Sequence, residues 1–266
     1  GQKNKNSFEQ LVETMILSLS HRGPDDSGVW KDNENQIVFG HRRLSILDLT
    51  KAGHQPMTSY CGRYVITFNG EVYNHLDLRK ELGSLGRRTR WIGTSDTETI
   101  LEGFSYWGIK KTIEKMVGMF AIAVWDKKEE RLFLSRDRMG EKPLYFGWSG
   151  GNFVFASELK AIRSLTTFNN NIDRGSLCLF LRHTYIPSPL SIYQNIYKLQ
   201  PGFILDLNLK ATNSPPGDTF ESPEINMTQY WSLKDTYRIG KSDLIGSEGE
   251  AIAALEHSLK ESIKLQ

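Results

Sequence analysis

Three short segments keep polar side chains where a purely structural element would not need them: residues 40–47 (GHRRLSIL), residues 69–71 (NGE) and residues 93–96 (GTSD). Each has a plain structural reading. Arg43 fits a solvated or ion-paired arginine, Asn69-Gly70 a turn, and Asp96 a carboxylate at the positive end of a helix. Together they supply a guanidinium, a side-chain amide, a glycine N–H and two carboxylates. That set suits an α-amino acid whose side-chain carbonyl is attacked. Arginine grips a carboxylate through two parallel hydrogen bonds. Carboxylates hold an ammonium, and an amide with a backbone N–H stabilises the oxyanion that forms.

The elements that position these groups read as strands and helices in separate runs. Ser7 and Gln10 form a capping pattern ahead of Phe8, Leu11, Val12, Met15, Ile16 and Leu19, whose spacing predicts a helix with one buried face. Gly23-Pro24 breaks it, and residues 21–28 read as a loop. Short strands are expected at 28–30, 37–39, 63–68, 119–125, 131–135, 143–148 and 153–156, most of them in hairpins. The run 119–125 is apolar on both faces, which predicts a strand covered on both sides. Helices are expected at 74–82, from the Ser95–Glu98 capping box to Gly108, and at 173–181 with Asp173 as N-cap. Asn69 thus ends a strand and Asp96 opens a helix. Antiparallel sheets with separated helices define an α+β layered domain.

Composition narrows the class further. Hydrophobic residues make up 39% of 266 and charged residues 24%, which excludes disorder and fibrous repeats. No apolar stretch approaches the ~20 residues of a membrane span, so no membrane partner is expected. The formal charge of +2 gives no basic footprint for nucleic acid. Cys61 reads as a turn thiol and Cys178 as a core residue on a short helix; two cysteines build neither a disulfide framework nor a multi-cysteine metal site. No metal site is expected, and a reducing, cytoplasmic setting is. Ser149-Gly150-Gly151-Asn152 lies between strands and predicts a hairpin turn rather than a phosphate loop. Residues 208–227, with Pro215-Pro216-Gly217, are mostly polar and read as a linker or long surface loop. A last helix is expected at 247–266, capped by Ser247 and Glu250, with a stripe of Ile252, Leu255, Leu259 and Ile263 that needs a partner surface. The expected division is a domain at 1–207, a connection at 208–246, and the first helix of a second, truncated domain at 247–266.

Seven blocks occur in a recognisable order: HRGPDDSG at 21–28, RRLSILDL at 42–49, FNGEVYNH at 68–75, GTSDTE at 93–98, GMFAIAVWD at 118–126, SRDRMGEKPLY at 135–145 and FASELKAI at 155–162. In these the chain resembles the glutaminase domain of glutamine-hydrolysing asparagine synthetases, members of the class II (N-terminal-nucleophile) glutamine amidotransferases. The resemblance implies a four-layer α/β/β/α sandwich of two antiparallel sheets. It implies that Arg43 pairs with the glutamine α-carboxylate, with Leu44, Ile46 and Leu47 lining the same edge. Asp96 and Glu71 would hold the α-ammonium, and the Asn69 side chain and Gly70 N–H would form the oxyanion hole. The HRGPD loop would close over the site. Glutamine and the chain's own C-terminal synthetase domain are the implied partners, with homodimerisation. The glutaminase half needs no cofactor; ATP and Mg²⁺ would serve only the synthetase domain.

The chain also departs from that pattern. The family begins with a cysteine that attacks the amide while its own α-amine acts as base, whereas this sequence begins with Gly1 and has no cysteine near its start. As written, it is expected to bind glutamine weakly and not to hydrolyse it. The family's SGGxDS phosphate loop does not occur either. Two other readings stand beside asparagine synthesis: an amidotransferase acting on another carboxylate, such as a uronic acid of a polysaccharide, and a non-catalytic glutamine-binding module.

Overall fold

The computed structural model describes residues 6–46, 48–86, 91–208 and 225–265. Its centre is β5 (Gly118–Asp126), buried from Phe120 onward. β5 pairs antiparallel with β4 (Tyr64–Val72) on one side and β6 (Arg131–Arg136) on the other. β3 (Met57–Thr58) flanks β4, while β10 (Phe203–Asn208) and β11 (Ile225–Gln229) follow β6, giving the order β11-β10-β6-β5-β4-β3.

Alternation along β4 assigns its two faces. Tyr64, Ile66, Phe68 and Val72 pack with Ile100, Leu101, Phe104, Ile109 and Ile113 of α3 (Asp96–Trp107) and α4 (Ile109–Lys115), and with Leu78 of α2 (His75–Ser84). Val65 faces the other way. It joins Ala121, Ala123, Trp125 and Leu134 in a core shared with Phe39 of β2 (Ile37–Arg43) and Phe146 and Trp148 of β7 (Tyr145–Ser149). β2 pairs with β1 (Asp26–Asp32); β7 pairs with β8 (Asn152–Ala156) and β9 (Ile196–Lys198). Both pieces therefore lie on the same side of the large sheet. Behind them, Met15 of α1 (Asn6–Ser18) packs with Ala161 and Ile162 of α5 (Leu159–Arg163). The layers run helix, sheet, sheet, helix: the α+β sandwich expected of the fold class.

Several boundaries differ from the sequence reading. β4 does not stop at Phe68 but continues through Val72, so Asn69, Gly70 and Glu71 are paired with Ala121, Phe120 and Met119 instead of forming a turn. β1 starts at Asp26, inside the stretch expected as loop. Gly108, at φ 82°, ends α3 and at once begins α4, which the sequence reading lacked. β11 lies within the expected connection 208–246, as does α7 (Leu233–Ser242). Asp173 caps α6 (Arg174–His183) by accepting from the Ser176 amide at 2.6 Å. Cys178 on that helix is exposed, not core: α6 leaves Leu177, Phe180 and Leu181 uncovered as well, so its apolar face meets no layer among the described residues. The 149–152 turn forms as expected, with Gly150 and Gly151 both at positive φ in a two-residue hairpin.

Candidate functional site

On the inter-sheet face of β4 the side chains after Val65 are Thr67, Asn69 and Glu71. All three line a cavity of about 380 Å³, together with Arg43, Leu44, Ile46, Gly70 and Asp96. Residues from three distant segments thus share one space, as an amino-acid site requires. Leu47, named with them, lies outside the described residues.

Arg43 and Asp96 are each held by their neighbours. Arg43 ends β2, and its guanidinium donates to the backbone carbonyls of Thr50 (3.1 Å) and Asp48. Asp48 in turn joins two loops: one carboxylate oxygen accepts from the Thr50 amide and hydroxyl (2.8 and 2.6 Å), the other from the Thr94 amide (2.9 Å). The Thr50 hydroxyl, with the amides of Thr94 and Thr50, holds the Asp48 carboxyl down at about 2. The Arg43 and Gly93–Asp96 segments are therefore fixed to each other by one permanent anion.

Asp96 is buried at the first turn of α3, 4% exposed. Its carboxylate accepts from the amides of Val72 (2.9 Å) and Thr97 (2.8 Å). Burial raises its pKa above the ordinary carboxylate value, against those amide bonds. Ser95 caps the helix, accepting from the Thr97 amide at 3.1 Å. Glu98 completes the cap differently from a simple capping box, accepting from the amides of Ile92 and Gly93 (2.7 and 3.0 Å). Arg79 closes the turn from α2 by donating to the carbonyls of Gly93 and Ser95 (3.0 and 2.8 Å).

Gly70 sits at a close approach of β4 and β5. A Cβ there would run into the Met119 carbonyl oxygen, so only glycine keeps this register. Next to it, the Asn69 Nδ2 donates toward Ser157 Oγ at 3.5 Å. His41, also on the cavity wall, places Nδ1 3.1 Å from Thr67 Oγ1. Removal from water, with Arg43 nearby, lowers the His41 ring to about 4, so it is neutral at physiological pH.

Several positioning groups escaped the sequence reading: Asp48, Ser157, and Gln55, whose Oε1 accepts from the Phe68 amide at 2.7 Å. Asp48 and Ser157 lie inside recognised blocks, but nothing local marks either as more than a loop residue. Gln55 is buried and lies in no block, so only tertiary contact shows it. Neither Cys61 nor Cys178 lines the cavity. Among the described residues, no group of three or more His, Cys, Asp or Glu is placed to hold a metal.

Known proteins resemble the chain in sequence and in fold. The model of a family described as "Glutamine amidotransferase domain" matches residues 1–216. The putative asparagine synthetase (glutamine-hydrolyzing) 2 of Methanocaldococcus jannaschii is 35% identical over 93% of this chain and 48% of its own length. Asparagine synthetase (glutamine-hydrolyzing) 3 of Bacillus subtilis is 36% identical over 85% of this chain and 34% of its own. The chain thus spans half or less of the curated relatives it matches. A solved structure of glutamine phosphoribosylpyrophosphate amidotransferase from B. subtilis, at 18% identity, superposes with a TM-score of 0.56 over 84% of this chain and 47% of that one, which shows the shared fold. With a family match over residues 1–216 and the family's fold around the cavity, the chain belongs to the glutamine amidotransferase domain family.

Proposed function

We propose that the cavity binds L-glutamine and serves its hydrolysis to glutamate and ammonia. The observation that carries this reading is the convergence of Arg43, Asn69, Gly70, Glu71 and Asp96 on one 380 Å³ space. Arg43 takes the α-carboxylate, with Leu44 and Ile46 beside it. Asp96 and Glu71 take the α-ammonium. Asn69 Nδ2 and the Gly70 N–H receive the side-chain carbonyl oxygen as it becomes an oxyanion, the type of donor whose loss costs ~10²–10³ in rate. The attacking thiol, on the family resemblance, is that of an N-terminal cysteine with its own amine as base; neither Cys61 nor Cys178 is assigned this step.

The names of the relatives support aspartate as acceptor of the ammonia, in an ATP- and Mg²⁺-dependent synthesis. That step belongs to the part of those proteins beyond the half that aligns here. On this reading α8 (Glu248–Leu265) is the first element of the synthetase half. Its stripe of Ile252, Leu255, Leu259 and Ile263 is 54–71% exposed and offers the surface on which that half would pack. A cytoplasmic homodimer completes the proposal.

The test uses glutamine and 4-aminobutanamide, which is glutamine without its α-carboxylate. The intact protein should release ammonia from the first and not the second. Equal turnover of both would remove Arg43 from the site and the reading with it.

A further inference from the structure

The two residues that follow β8 reach two different parts of the cavity's surroundings. Ser157 Oγ lies 3.5 Å from Asn69 Nδ2. The carboxylate of the next residue, Glu158, accepts from the Arg22 guanidinium at 2.9 Å and lies 3.0 Å from His21 Nε2. Lys160 stands 3.5 Å from the same carboxylate and 2.9 Å from His21 Nδ1. His21 and Arg22 end a short 3-10 turn (Ser20–Arg22) that leads into a loop at residues 23–25, and the far end of that loop is tied elsewhere. Arg42 Nε donates to the Gly23 carbonyl at 2.8 Å, and the Asp25 amide donates to the Arg43 carbonyl at 3.1 Å. Asp25 Oδ2 accepts from the Ser45 amide at 2.7 Å. A Cβ on Gly23 would strike the Arg42–Arg43 backbone, so the loop lies directly on that strand.

The loop is therefore a strap. One end is fastened to β2, which carries Arg43, and the other to Glu158, beside the residue that touches Asn69. β2 and β8 belong to separate sheets and share no ladder of hydrogen bonds. Phe39 of β2 packs edge-on against Phe155 of β8, with ring centroids 5.5 Å apart, and the strap adds a polar tie beside that apolar contact.

We propose that Glu158 is a positioning residue of the glutamine site: by holding the strap it sets the distance between the wall that carries Arg43 and the wall that carries Ser157 against Asn69. The inference rests on the reading of the cavity as a glutamine site. A ligand gripped at its α-carboxylate by Arg43 and at its side-chain carbonyl by Asn69 has a fixed length. The walls must match that length, because misplacement by about 1 Å can cost ~10²-fold in rate. Glu158 and Arg22 are partly exposed, 26% and 32%, and such pairs add little to global stability. The contact is thus suited to tuning geometry without being needed for folding. Partial burial works against the charge of Glu158, yet Arg22 and His21 hold its carboxyl below the ordinary range.

The experiment measures hydrolysis of glutamine and of asparagine, one methylene shorter, by the intact protein and its Glu158→Ala and Glu158→Gln variants. Glu158→Ala should raise the glutamine KM about tenfold or more and narrow the preference for glutamine over asparagine, while the thermal midpoint stays near that of the parent. Glu158→Gln keeps an acceptor oxygen of the same shape and should fall between; it also serves if the alanine variant fails to fold. Unchanged KM and unchanged preference in a folded variant would overturn the proposal while leaving the glutamine site intact. No hydrolysis of glutamine by the parent protein would overturn both.

Discussion

The Asp96 carboxylate accepts a hydrogen bond from the Val72 amide at 2.9 Å, tying the first turn of α3 to the end of the strand that carries Asn69, Gly70 and Glu71. One buried carboxyl group thus fixes the relative position of the residues proposed to bind the ammonium and the oxyanion. Asp96→Asn keeps the shape and one acceptor but removes the charge. Because bonds to charged groups are worth about 1.5–3 kcal/mol, the glutamine KM should rise roughly ten- to a hundredfold. Asp96→Ala should in addition lower thermal stability, because the buried Val72 amide loses its side-chain acceptor and the Thr97 amide keeps only Ser95. Steady-state kinetics and thermal unfolding separate the two effects.

Arg43 is held by the carbonyls of Asp48 and Thr50, which orient its guanidinium without neutralising it. In the intact protein, Arg43→Ala should weaken glutamine use while leaving ammonia-dependent synthesis nearly untouched. Arg43→Lys should not restore it, since a point charge cannot reproduce two parallel bonds. Equal loss of both activities would make Arg43 a structural residue.

Asn69→Ala removes one of the two proposed oxyanion donors, and kcat for glutamine hydrolysis should fall ~10²–10³-fold with little change in KM. Gly70→Ala acts through the backbone. Its Cβ would meet the Met119 carbonyl, so this variant should lose stability before it shows any clean kinetic effect, as a thermal melt would reveal.

His41 ties stability to pH. Its ring is lowered to about 4 from an ordinary 6.5. Between those values the unfolded chain takes up a proton that the folded protein refuses, so stability falls as pH drops from about 7 to about 4. His41→Asn can keep a bond to Thr67 and should flatten that part of the curve. Denaturant midpoints at a series of pH values give the comparison; a parallel slope in the variant would assign the pH dependence to other groups.

Much of this architecture is legible in local patterns. The apolar run of β5, the cap at Asp173 and the glycine pair at 150–151 each encode their own conformation. The polar groups at Arg43, Asn69 and Asp96 stand out because a β-strand end and a helix start have no need of them all. What local pattern hides is whatever tertiary contact decides. β4 runs through Asn69-Gly70-Glu71 because β5 pairs with every residue of it, overriding the turn preference of Asn-Gly. β11 is short and follows a polar stretch, and becomes a strand only by adding to β10. Cys178 lies on a helix whose apolar face meets no layer among the described residues, so periodicity alone misassigned it to the core. Gln55 and Glu158 bond to segments 13 and 136 positions away, a relationship that spacing cannot show.

The most direct test of the central claim is glutamate release from glutamine by the intact, natively processed protein, with its N-terminal residue identified by exact mass. An N-terminal cysteine and stoichiometric release of glutamate and ammonia are the expected result. A protein without that cysteine that releases no glutamate would contradict it, and the cavity would then be the pocket of a glutamine-binding module.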